Sequence, residues 1–74
     1  METNTRQYEA AHGKLPKGTG MWALKLIGTD GNGSYTNVTY YIHGKLNEAK
    51  KEAVSRMKSE ISRVKKVVSV TVLS

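Results

Sequence analysis

Cysteine is absent from this chain of 74 residues. Disulfide bonds and thiolate metal sites are therefore excluded, and the composition suits a reducing compartment such as the cytoplasm. Long apolar runs are also missing, so no stretch predicts a membrane-spanning helix. The first residues, METNTRQYEAAHGK, lack the apolar segment of a secretory signal peptide. We expect a cytoplasmic protein that does not bind a membrane.

Acidic residues are scarce as well. Six Asp and Glu stand against twelve Lys and Arg, which gives a formal net charge of +6. Residues 45–74 hold eight of the basic and three of the acidic residues, so this half alone carries 8 − 3 = +5. An anionic partner is expected to meet the C-terminal half.

Groups that could perform catalysis are few. Asp30 is the only aspartate, and it lies where a hairpin turn favours this residue. His12 and His43 have no second ligand at a metal-like spacing, and the GTG and GNG triplets do not form a nucleotide-binding loop. We expect no enzymatic activity, no metal, no cofactor and no small-molecule substrate.

The order of the predicted elements is strand, strand, helix, strand. Residues 21–28 and 34–43 have the alternation of strands on either side of a TDGNG turn, and 67–74 is a β-branched run without charge. Residues 46–64 have helical periodicity. We therefore expect an α+β domain of ββαβ order, with one amphipathic helix on a three-stranded mixed sheet.

The N-terminal segment and the strand order complete the predicted domain. Residues 1–20 are polar and broken by glycine and proline, which predicts a flexible arm before a single domain at 21–74. The helix is a crossover between the second and third strands, so these two run parallel. The most apolar strand is expected in the middle, giving the order 2-1-3, with 1-2-3 as the alternative. Strand 67–74 then forms an uncharged sheet edge, which predicts a homodimer through that edge.

The register of the hairpin decides which tyrosine is buried. Neighbouring side chains of a strand point to opposite faces, so Tyr40 and Tyr41 cannot both lie in the core. A two-residue turn would set Leu24 opposite Tyr41. A three-residue loop at 31–33 sets Leu24 opposite Tyr40 and gathers the apolar side chains of both strands on one face. We expect the second register, with Tyr40 in the core and Tyr41 outside.

The predicted helix has a basic outer face. Asn47 is expected as its N-cap, and small hydroxyl residues lie opposite its apolar arc, between two rows of basic residues spaced by seven. This pattern would allow a phosphate backbone to approach closely, with cations on each side. A solvated helix face is the alternative. The residues expected to contact nucleic acid are Lys51, Ser55, Arg56, Lys58, Ser59, Ser62, Arg63 and Lys65.

The sheet face turned away from the helix is a second candidate surface. It carries two tyrosines and a single cation, which favours a protein partner over stacked bases. In the alternative, the N-terminal arm covers this face through Tyr8 or Leu15. The residues expected to contact a protein are Lys25, Tyr35, Asn37, Thr39 and Tyr41, with Ala23, Ile27, Ser69 and Thr71 beside them.

The Trp-containing hairpin followed by LNEAKKEA resembles the arm-binding domains of phage and transposon tyrosine recombinases over roughly residues 20–60. The resemblance implies a DNA-binding module. Two features depart from that family: its sheet is complete before the helix, and it contacts DNA through basic sheet residues that this chain lacks. Small phage inhibitor proteins, including anti-CRISPRs, are similar in size and in their strand and helix arrangement, although no motif links them to this chain.

Two functions are therefore expected from the sequence. The leading one is a small basic binding protein that contacts DNA or RNA through its helix, as an accessory or regulatory factor of a phage or mobile element. The alternative is an inhibitor or adaptor that binds a protein through the sheet face, with the basic charge meeting an acidic protein surface.

Overall fold

The computed structural model describes residues 2–73. Met1 and Ser74, the outer ends of the predicted arm and of the predicted strand 67–74, lie outside the described residues. The elements are β1 (Glu2–Asn4), α1 (Arg6–His12), β2 (Thr19–Thr29), β3 (Tyr35–Lys45), α2 (Leu46–Glu60) and β4 (Lys66–Val72).

The four strands form one mixed sheet in the order β1-β4-β2-β3. The central strand β2 is antiparallel to both of its neighbours, whereas β1 is parallel to β4. The α+β class and the predicted order of the three longer strands are confirmed. The prediction of three strands and one helix is wrong, because β1 and α1, which lie within residues 1–20, add a strand and a helix.

The hairpin has the register expected for a three-residue loop. Leu24 pairs with Tyr40, Leu26 with Val38 and Trp22 with Ile42. Gly31 and Gly33 have φ angles of 85° and 94°, a region that residues with a Cβ rarely adopt. This loop length fixes every side chain of both strands to its face, since a slip of one residue would invert them all.

Helix α2 begins one residue before the expected N-cap and ends earlier than predicted. It starts at Leu46, with Lys45 in the N-cap position, so the assignment of Asn47 as N-cap is wrong. Its last helical residue is Glu60 rather than Val64. The backbone N–H of Lys65 donates to the Thr29 carbonyl at 2.9 Å, so residues 61–64 must turn the chain back onto the sheet. Both helix ends are thus set by the short connections to β3 and β4.

The core lies between the sheet and the two helices. Leu24, Leu26, Val70 and Val72 of the sheet are fully buried together with Met57 of α2. The buried side chains pack as one cluster. Burial of this apolar set is the main term that stabilises so small a domain.

The N-terminal segment contributes to this core through Tyr8 of α1. The Tyr8 ring is buried and its centroid lies 5.6 Å from that of Trp22. Tyr8 belongs to the same cluster as the α2 residues, so α1 packs on the same side of the sheet as α2. The alternative in which the arm covers the opposite face through Tyr8 or Leu15 is therefore wrong. Leu15 is 63% exposed.

The predicted open edge at 67–74 is covered in its middle, at residues 69–71. Strand β1 pairs with β4 through Glu2–Ser69, Thr3–Val70 and Asn4–Thr71. The expectation that this strand forms a free edge of the sheet is wrong, because the three-residue β1 is too short to leave a strand pattern in the sequence. Strand β1 therefore lies where the predicted homodimer would have paired.

Candidate binding surfaces

The face of the sheet opposite the helices, here called the open face, is built by the register of the strands. Side chains of directly paired residues lie on the same face. Lys25 is therefore flanked by Thr39 of β3 and by Thr71 of β4. The same pairing places Tyr41 beside Ala23, and sets Ile27 between Asn37 and Ser69. With Tyr35 on the same side of β3, every residue predicted for the protein-binding surface lies on this face.

Large apolar side chains are exposed on the open face. Tyr41 is 70% exposed, Tyr35 67% and Met21 60%. Met21 pairs with His43 and shares the face of Ala23 and Lys25. It was missing from the predicted set, although its alternation with the buried Trp22 was a signal that could have found it. The open face thus combines exposed apolar side chains with Thr, Asn and Ser.

The open face has one charged residue near its centre and the others at its margins. Lys25 is partly buried in its middle row. Pairing of β1 with β4 adds Glu2 and Asn4 at the far side of the sheet. These two residues were not predicted, because β1 is too short and too polar to show a strand pattern. Lys66, paired with Thr29, and Lys45, paired with Thr19, lie at the two ends of the same face, so the expectation of a single cation is wrong. Three lysines and one glutamate leave the face slightly basic.

The basic surface of α2 is less regular than predicted. Lys51, Ser55, Arg56, Lys58 and Ser59 lie on the helix and are exposed. The other three predicted residues, Ser62, Arg63 and Lys65, follow the end of the helix at Glu60. The spacing by seven therefore does not extend each basic row along one straight helix face, and this part of the prediction is wrong.

Both arginines of this surface already have partners. A guanidinium nitrogen of Arg56 lies 3.2 Å from the Glu52 carboxylate, with both side chains about half exposed. Arg63 Nε donates to the Thr36 hydroxyl at 3.2 Å, which ties the turn after α2 to β3. Arg56 is thus paired with a carboxylate, whereas Arg63 keeps its positive charge and its terminal amino groups for another contact.

The lysines of α2 are arranged differently. Lys50, Lys51 and Lys58 lie on one side of the helix, where they surround Val54 and Ser55 in a shallow open concavity. We call these three residues the lysine flank. The other side of the helix faces β3, as the hydrogen bond from the Tyr40 hydroxyl to Glu60 at 2.9 Å shows. No ion pair is made by the lysine flank within residues 2–73.

Two titratable groups have shifted pKa values, and both have structural roles. Hydrogen bonds from backbone amides, chiefly that of Asn32, lower the pKa of Asp30, whose carboxylate closes the hairpin loop. Burial raises the pKa of Tyr40, and its hydrogen bond to Glu60 acts in the same direction. Nothing in either arrangement activates a group for catalysis.

Within the described part of the chain, no three acidic or histidine side chains come together where they could hold a metal ion. Neither helix of residues 2–73 is long and apolar enough to cross a membrane. Comparison of the chain with protein-family models, with curated proteins and with solved structures finds no match. The two surfaces are therefore the features of the molecule that bear on its function.

Proposed function

We propose that the protein is a small non-enzymatic binding protein, an inhibitor or adaptor, that contacts a protein partner through the open face. One observation carries the proposal. The most exposed large apolar side chains of the strands, Met21, Tyr35 and Tyr41, share the one sheet face that neither helix covers. Tyrosine and methionine are enriched at protein interfaces, and tyrosine buries a large area at low cost in side-chain entropy.

The chemistry of the open face favours a protein over a single-stranded nucleic acid. Sheets that stack bases also line the strand with several cations, because the phosphates must be neutralised. In the centre of this face Lys25 is the one lysine or arginine; Lys45 and Lys66 lie at its two ends, and Glu2 carries the opposite charge. The surface that best complements it is apolar at its centre, uncharged, and able to hydrogen-bond with Thr and Asn side chains.

Affinity capture with paired variants tests this proposal. The wild-type chain is immobilised beside Tyr35→Ala/Tyr41→Ala and, as the matched control, Lys51→Ala/Lys58→Ala, which alters two exposed side chains of α2. Nuclease-treated lysate of the native cells is applied to all three. We expect one protein to be retained by the wild type and by the lysine variant and lost by the tyrosine variant. Equal retention by all three would contradict the proposal.

A nucleic-acid contact through α2 is the second candidate, and the lysine flank is the observation that favours it. Three lysines without ion-pair partners in residues 2–73 surround Val54 and Ser55, so a phosphate could approach the helix closely there. This surface is smaller than the one predicted from the sequence, since Arg56 pairs with Glu52 and Arg63 lies beyond the end of the helix beside Thr36. About three cations remain on the helix flank rather than two continuous rows.

Salt dependence tests the second candidate. With ~3 phosphates neutralised, the logarithm of the affinity for duplex DNA should fall with the logarithm of salt concentration at a slope of about −2.7. Replacing Lys50, Lys51 and Lys58 by alanine should flatten this slope. Arg56→Ala is the control and should change it little, because Glu52 already pairs with this arginine. Unchanged DNA binding by the triple variant would exclude the lysine flank as the contact.

A further inference from the structure

Strand β3 forms one outer edge of the sheet, and this edge is long. It spans eleven residues, Tyr35–Lys45, and pairs only on its β2 side among the described strands. The opposite edge of the sheet is β1, with three residues. Typical strands have about five or six residues. The β3 edge therefore offers far more unpaired backbone to another strand than the β1 edge does.

The backbone groups that β3 leaves free can be assigned. In an antiparallel pair, residues that hydrogen-bond to the partner strand alternate with residues whose N–H and C=O point away. The Asp30 N–H donates to the Ser34 carbonyl, and the Leu46 N–H donates to the Gly18 carbonyl. Both bonds indicate that the even-numbered residues of β3 are the ones that hydrogen-bond to β2. The outward groups consequently belong to Tyr35, Asn37, Thr39, Tyr41 and His43.

A third hydrogen bond agrees with this assignment. The Ala23 carbonyl accepts from the Leu73 N–H at 2.8 Å, so Ala23 directs its backbone to β4. Its partner Tyr41 then directs its own backbone away from β2. The residues with free backbone groups are those whose side chains lie on the open face. A strand added to this edge would extend the open face.

Most of this edge is unprotected against pairing, since its one charged residue is Lys45 at its end. Exposed edges are normally blunted by charged residues, by proline or by shortness. No Lys, Arg, Asp, Glu or Pro occurs from Tyr35 to Gly44. The β1 edge, in contrast, is short and carries Glu2. The unprotected edge that the sequence predicts at residues 67–74 therefore lies at β3 instead.

We propose that the outer edge of β3 pairs antiparallel with β3 of a second copy of this chain, so that two sheets join into one of eight strands. Twofold antiparallel pairing sets the uncharged open-face residues of one strand against the same set of the other, and no like charges oppose each other. The inference goes beyond the proposed function and does not depend on it.

The charge distribution of α2 supports a second copy as the occupant. The helix side that faces β3 carries Glu52, Arg56 and Glu60, which are of both signs, and Arg56 pairs with Glu52. The lysine flank lies on the other side of the helix. Two chains with a net charge of +6 each could thus meet at the β3 edge while their lysine flanks point away from each other.

Light scattering coupled to size-exclusion chromatography, over a dilution series, tests the pairing. We expect the wild type to have twice the chain mass of 8.2 kDa at high concentration. Thr39→Pro removes an outward N–H and leaves the bonds to β2 intact, so it should be folded by circular dichroism and monomeric. A wild type that is monomeric at every concentration would overturn the proposal.

Two lysine substitutions form a matched pair, and they test the pairing even if Thr39→Pro fails to fold. Thr39 and Thr71 flank Lys25 in one row of the open face, but only Thr39 lies on the edge strand. Thr39→Lys should give the monomer, whereas Thr71→Lys should remain dimeric. Dissociation by both would contradict edge pairing. Dissociation by Tyr41→Ala with a dimeric Thr39→Lys would show instead that open faces stack, and would also overturn the proposal.

Discussion

Tyr40 and Tyr41 are neighbours in the chain and lie on opposite sides of the sheet. The Tyr40 ring packs against the core, and its hydroxyl donates to Glu60 of α2 at 2.9 Å. Tyr41 is 70% exposed on the open face. Tyrosine thus stabilises the fold at position 40 and is exposed for binding at position 41, because successive side chains of a strand point to opposite faces of the sheet.

Alanine substitution should separate these two roles. Tyr41→Ala is expected to change the free energy of unfolding by less than ~0.5 kcal/mol, as is usual for exposed sites. Tyr40→Ala should cost ~2 kcal/mol, because it removes a ring that packs against the core. Urea denaturation of both variants measures the difference. Equal losses at the two positions would contradict the register of the hairpin.

Gly28 is required by the close approach of the turn after α2. A Cβ at this position would lie 2.7 Å from Val64 Cγ1 and 2.9 Å from Met57 Cε. Gly28→Ala should therefore destabilise the fold by ~1–3 kcal/mol through overpacking. Gly20→Ala on the same strand is the matched control, since a Cβ there meets no atom within 4 Å. Thermal unfolding that is the same for both variants would refute this packing.

Removal of the Tyr8 ring tests whether α1 belongs to the fold. Tyr8→Ala is expected to cost ~2–3 kcal/mol, because the ring is buried beside Trp22. Trp22 is the single tryptophan of the chain, so its fluorescence should report the change directly. Gln7→Ala, at the exposed neighbour on α1, is the control and should have little effect. An unchanged emission spectrum and stability in Tyr8→Ala would mean that α1 does not pack there.

Acid should weaken the hairpin through Asp30. Backbone hydrogen bonds lower the pKa of this carboxyl below its ordinary value of 3.8, so ionised Asp30 favours the folded state. Its contribution is present above pH 3.8 and is lost as the pH falls through the lower, folded-state pKa. Asp30→Asn should be less stable than the wild type near neutral pH. The two should converge in strong acid, and a constant difference across the titration would contradict this role.

The hairpin and its register could be predicted from the sequence. Given the apolar alternation on both strands, a three-residue loop is the length that buries Leu24, Leu26 and Trp22 together. Gly33 has the backbone conformation that such a loop requires. The open face followed from the same alternation. This part was predictable because period-two patterns and turn residues are local signals.

The remaining elements depended on contacts that are distant in the sequence. Strand β1 has three polar residues and is defined only by its pairing with β4. Tyr8 was a single aromatic residue in a polar segment, with no periodicity to mark it as core. The end of α2 was missed because Ile61 and Val64 continue the apolar period and do pack in the core after the helix has ended. Because β1 was not predicted, residues 67–74 were expected to form a free edge of the sheet.

Site-specific photo-crosslinking tests the central claim, that the open face contacts a protein partner. A benzophenone side chain is introduced at Tyr41 and, in a matched variant, at Ser59 on the exposed side of α2, and both are irradiated in the native cells. We predict that position 41 cross-links to one protein and position 59 does not. Cross-linking from Ser59 alone, or to nucleic acid from either position, would contradict the claim.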